Sequence, residues 1–120
     1  MKHLKTFENT NVQSRLFDYI RIYGKRNINK IKNLLFKNKN MDLNCFDRDG
    51  MTPLMWASYG DNLEILEMLI DAGADWNVKD SEGDDFLTYT LGGTERDIIK
   101  KYPEKYKEYL FKKEVEKYNL

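Results

Sequence analysis

DRDGMTPLMWASYGDNLEILEMLIDAGADWNVKD, residues 47–80, holds a turn, a short helical pattern, a second helical pattern and a glycine stop, and then begins the turn again. DRDG opens it at Asp47 and DSEG reopens it at Asp80, 33 residues later. Self-similarity at a period of this size marks a stacked repeat, because one such unit cannot bury its apolar faces without neighbours.

The local chemistry fits position by position. Asp47 to Gly50 read as a turn in which Gly50 supplies positive φ. Thr52 is an N-cap, and Pro53 stands at the first helical position, where a missing N–H costs nothing. Leu54, Trp56 and Ala57 follow on a first helix, with the small Ala57 and Ser58 admitting a close neighbour. The second helix carries Leu63, Ile65, Leu66, Met68, Leu69 and Ile70, too apolar for a one-sided surface helix and therefore expected between units. Gly73 ends it, and Asp75 and Asn77 can bond nearby backbone in the next turn.

Outward from this unit the pattern loosens. Toward the N-terminus, Val12, Leu16, Tyr19, Ile20 and Tyr23 recur at helical spacing, with Gly24 as the expected stop. Ile28, Ile31, Leu34 and Leu35 form a second helical pattern, expected to end at Asn40 in the left-handed conformation. Met41-Asp42-Leu43-Asn44 then matches Ala74-Asp75-Trp76-Asn77. Toward the C-terminus, Gly83 and Leu87 repeat Gly50 and Leu54, and Asp85-Phe86 replace Thr-Pro. Gly92-Gly93 is the expected break between helices, and Thr94 the expected cap of a short helix through Ile98 and Ile99. Pro103 starts a last helix with Tyr102, Tyr106, Tyr109 and Leu110 on one side and Phe111, Val115 and Tyr118 on the other. Its first half is expected to cover the last repeat. One domain over 1–120 results, divided into a diverged N-terminal unit (12–46), an intact repeat (47–79), a degenerate unit (80–103) and a C-terminal helix (104–120).

With its period and its Thr52-Pro53-Leu54 start, the central stretch resembles an ankyrin repeat. The resemblance is complete over 47–79, partial over 28–46 and 80–99, and absent over 1–11 and 104–120. Two positions depart from the family pattern. Met55 stands where a histidine is usual, removing the hydrogen bond that histidine makes to a neighbouring turn, and Asp61 occupies the usual inter-helix glycine position. The resemblance implies an all-α solenoid of about three helix-turn-helix units, with an N-terminal helix pair and a C-terminal capping helix.

Composition narrows the function. In 120 residues the hydrophobic share is 41% and the charged share 33%, sufficient for a core in one domain. Net charge is zero but unevenly laid out. Residues 1–46 carry ten Lys/Arg against three acids, residues 47–99 three against thirteen, and residues 100–120 seven against four. The single Cys45 excludes an internal disulfide framework and fits a reducing compartment. Residues 1–10 lack the apolar run of a signal peptide and no stretch reaches membrane-span length, so a cytoplasmic location is expected, including a host cytosol for a viral or effector protein.

Catalytic chemistry has few carriers. His3 is the only histidine and Cys45 the only cysteine, and neither belongs to a nucleophile–base constellation, so no enzyme is expected. No metal-ligand spacing or phosphate-cradling glycine loop is present, and no cofactor is expected. Asp80, Glu82, Asp84 and Asp85 read as a solvated turn. The basic residues of 12–46 and the lysine-rich tail raise an alternative, a nucleic-acid-associated protein. Against it stand the lack of any nucleic-acid motif and an acidic centre that repels phosphate. Resemblance to ankyrin repeats implies instead a protein partner, met by the turn tips and the exposed face of the first helix. Those positions are Arg48, Asp49, Met51 and Tyr59 in the central unit and Ser81, Glu82 and Asp84 in the next. Met51 and Tyr59 are read as offered to solvent, Met51 either as an anchor or as an incidental tip residue. Trp56 and Trp76 read as core. The acidic tips point to a partner with a basic surface, and the last helix to self-association.

Overall fold

The computed structural model describes residues 12–118. Helix α1 covers residues 12–18 and opens into a π turn, Tyr19–Tyr23, and a 3₁₀ turn, Gly24–Asn27, before α2, Ile28–Lys37. Then follow α3 (Pro53–Tyr59), α4 (Leu63–Asp71), α5 (Phe86–Tyr89), α6 (Gly92–Lys101) and α7 (Pro103–Tyr118). There is no strand among the described residues. The helices form two rows. The π turn after α1 packs on α3 and α3 on α5, while α2 packs on α4 and α4 on α6, with α7 laid against α6. One core runs between the rows, from Leu16 and Ile31 through Leu54, Met55, Ile65, Leu66 and Leu69 to Phe86, Ile98 and Tyr109.

The intact unit behaves as its residues dictate. The Thr52 hydroxyl oxygen accepts the Met55 N–H at 3.2 Å, and the Met55 sulfur accepts the Thr52 N–H at 3.4 Å, closing both ends of a capping box. Met55 is fully buried. The residue that departs from the family pattern therefore caps its own helix instead of reaching a neighbouring turn. Asn62 caps α4 by accepting the Ile65 N–H at 3.1 Å. Between them Asp61 has φ +53°, the only positive φ outside glycine among the described residues. Its carboxylate accepts the hydroxyl of Thr94, one unit along.

Several expectations are corrected. The chain does not stop at Gly24 but passes through the π and 3₁₀ turns, where the Asn27 amide donates to the Tyr19 carbonyl at 3.2 Å. Asn40 is not left-handed; Asn38 ends α2, its backbone N–H and side-chain amide both donating to the Leu34 carbonyl. Gly92 and Gly93 are the first residues of α6, and the break falls at Thr90 and Leu91. Thr94 lies inside α6 and ties it to Asp61 rather than capping it. Leu110 is 45% exposed and does not join the covered face of α7.

That face consists of Tyr106 and Tyr109, with Tyr102 just before the helix; Tyr102 and Tyr109 pack on Trp76, and Tyr106 stacks on Tyr109. Trp76 is 5% exposed and meets Phe86 edge to face at 5.1 Å, as expected of a core residue. Asn44 accepts the Asp75 N–H across one unit boundary, and Asn77, 33 residues on, donates to the Tyr109 carbonyl across the next. Helix α7 thus takes the place that a further unit would hold.

Candidate functional site

Each turn tip is built around one aspartate. Asp47 Oδ1 accepts the N–H groups of Asp49 and Met51, each at 3.0 Å, and the Asp47 and Met51 backbones pair at 2.9 Å. Its Oδ2 accepts the Trp56 indole N–H at 2.7 Å. Asp80 repeats the pattern, accepting the Glu82 and Asp84 N–H groups at 2.9 Å on Oδ1 and the Tyr89 hydroxyl on Oδ2. Gly50 (φ +76°) and Gly83 (φ +84°) supply the conformation that closes each turn. The Tyr89 hydroxyl, followed by the Asp84 N–H, holds the Asp80 carboxyl below its ordinary pKa, and the same bond lifts Tyr89 to about 12.

Arg48, Asp49, Ser81 and Glu82 stand exposed at the two tips, and Asp84 is half-buried. Tyr59 is 66% exposed at the end of α3, its ring in a T-shaped pair with Trp56 at 5.9 Å. Met51 corrects the sequence reading. It is 9% exposed and belongs to the core, because the backbone pair with Asp47 turns its side chain under the tip. Asp85 also corrects it. Far from a solvated turn, it is 3% exposed, caps α5 through the Leu87 and Thr88 N–H groups, and accepts the Tyr109 hydroxyl at 2.7 Å, with Lys113 at 3.8 Å. Burial, followed by the Asp85 bond, raises the Tyr109 pKa. Trp56 is only half-buried, where a core position was expected.

Arg48 and Asp49 share an open cleft of about 750 Å³ with Phe46 and with Phe17, Asp18 and Arg21 of the first unit. Tyr59, Ser81, Glu82 and Asp84 do not line it. The sequence reading missed Phe46, which is 50% exposed, and the pairing of Arg21 with Trp56, whose ring centroid lies 5.1 Å from the guanidinium carbon. Basic character in the first unit was the only signal for Arg21. Cys45 also borders the cleft, half-buried, its thiol pushed up to about 11 by burial and then by Asp42. At neutral pH it carries almost no thiolate. No helix among the described residues is long and apolar enough to cross a membrane.

Residues 35–85 match the family model for ankyrin repeats in many copies. Over 48 residues, 40% of this chain, the sequence is 42% identical to palmitoyltransferase akr1 of Emericella nidulans, of which the match covers 6%. Over 42 residues, 35% of this chain, it is 48% identical to ankyrin repeat and SAM domain-containing protein 4B of Homo sapiens, of which it covers 10%. The chain therefore corresponds to a small part of each relative's length. It carries ankyrin repeats, matched over residues 35–85, in an all-α ankyrin-like fold.

Proposed function

We propose that this chain is a non-enzymatic protein-binding module that meets its partner through the turn tips and the exposed end of α3. Ankyrin repeats generally mediate protein–protein interaction, and the observation that carries the reading here is the build of the tips. Asp47 and Asp80 use their carboxylates to fix the two turns, leaving Asp49 and Glu82 exposed at equivalent positions on a pre-ordered backbone. A pre-ordered acidic edge loses little entropy on binding and favours a basic partner surface. Tyr59 adds a rigid aromatic with most of its ring in solvent. Inhibitor, effector and adaptor roles all use such a surface.

The test is affinity capture from the native host with wild type and with an Asp49→Asn, Glu82→Gln, Tyr59→Ala variant, both checked for the same melting temperature. A captured protein that is lost with the variant supports the reading. Equal recovery removes the tips from the interface.

A further inference from the structure

Arg21 lies in the π turn that packs on α3, and its guanidinium stands over the face of Trp56. π turns concentrate at functional positions because they displace side chains from the regular helical register. Besides Arg21, two contacts hold the indole: Asp47 accepts its N–H, and the Tyr59 ring packs on it in a T-shaped pair. Arg21 is exposed and forms no ion pair among the described residues. Asp18 and Asp49, which line the cleft with it, are exposed and likewise pair with no cation among the described residues. Trp56 thus offers a fixed aromatic face that already carries a cation, and in the free chain that cation is the chain's own Arg21, which also lines the cleft with Asp18, Asp49 and Arg48.

We propose that the Trp56 face seats an arginine from a segment of the partner protein, and that Arg21 occupies the seat until that arginine displaces it into the cleft. This rests on the protein-binding reading above and narrows the partner to one presenting arginine toward the acidic tips. Guanidinium is favoured over ammonium because it is planar, weakly hydrated and stacks on indole. Asp18 and Asp49 complement the arriving charge, and the same carboxylates repel a phosphate backbone. The contact of Arg21 with Trp56 is then a brake on binding, worth a small factor in affinity, and not a strut of the fold.

The experiment uses the full chain labelled with ¹⁵N, reading the Trp56 indole N–H signal, assigned from a Trp56→Phe sample. The probes are two Gly/Ser peptides of equal length and charge, one bearing three arginines and the other three lysines. The arginine peptide is expected to shift the Trp56 signal and to bind more tightly than the lysine peptide. Arg21→Ala is expected to raise its affinity roughly two- to five-fold, by freeing a surface cation–π contact, and Arg21→Lys to fall between. Asp49→Asn is expected to weaken it. Unchanged or weaker binding by Arg21→Ala with native signal dispersion, equal binding of the two peptides, or no shift at Trp56 would each overturn the proposal. If tip substitutions abolish capture of the native partner while Arg21→Ala changes nothing, the protein-binding reading stands and the seat does not.

Discussion

The Asp47 carboxylate accepts two backbone N–H groups through one oxygen and an indole N–H through the other. Removing it leaves three donors to find water or go without. Asp47→Ala is therefore expected to lose about 2–3 kcal/mol of stability in urea unfolding, the worth of one to two charge-assisted hydrogen bonds. A loss below about 0.5 kcal/mol, the scale of an ordinary surface change, would show that the turn holds without it. Asp61 makes a different point at the same scale. Its φ of +53° is tolerated by Asp because a short polar side chain suits that region, and its carboxylate is bonded to Thr94. Asp61→Val keeps neither advantage and should cost about 1–2 kcal/mol in backbone strain alone, whereas Asp61→Gly exchanges relief of strain for the lost bond. The difference in melting temperature between the two variants checks it. Asp80 carries a pH signature. Its carboxyl is depressed in the fold chiefly by the Tyr89 hydroxyl. The stability it contributes is complete above the ordinary carboxylate value of about 4 and is lost as pH falls below that, through the folded pKa. Tyr89→Phe should flatten the acid limb of a stability profile in that window.

Among the elements, α3 and α4 were legible in the sequence: Thr52 and Pro53 start one, Gly73 follows the end of the other, and the apolar spacing faces the core. The junction after α1 was not legible. Apolar spacing through Tyr19, Ile20 and Tyr23 is compatible with several backbone hydrogen-bond registers, and the π turn that packs on α3 is one that residue type alone does not select. Met51 was misread for a related reason. Its direction is set by the backbone pair to Asp47, which leaves no trace in residue type. At the tips Arg48, Asp49, Ser81 and Glu82 were legible as exposed positions. The Arg21–Trp56 contact was not, since it joins two units through tertiary packing. Helix α7 divides into halves with different stability roles. Trp76, enclosed by Phe86, Tyr102 and Tyr109, has an indole N–H with no acceptor among the described residues. Trp76→Phe therefore loses no hydrogen bond and should be mild, while Trp76→Ala should cost about 3–5 kcal/mol by emptying the aromatic cluster. Phe111 and Tyr118, by contrast, are 69% and 80% exposed. Changing both to Gln should move the melting temperature by no more than about 5 °C. A larger fall would mean the outer half packs in solution, as self-association through that face would require.

At the level of the molecule, basic ends flank an acidic centre, and the two rows of helices carry that centre's turns to one edge. Partner binding should weaken as salt rises from about 20 mM to physiological strength, since exposed charges are screened over about 8 Å there. Affinity unchanged across that range would remove the electrostatic part of the account. The surface itself is tested most directly by photocrosslinking. Benzoylphenylalanine is placed singly at Tyr59 and at Glu82 on the proposed face, and at Glu64 and Lys100 on α4 and α6 of the other row. The partner should be captured covalently from positions 59 and 82 and not from 64 and 100. Capture from the second pair alone would contradict the assignment of the tips and α3 as the binding face.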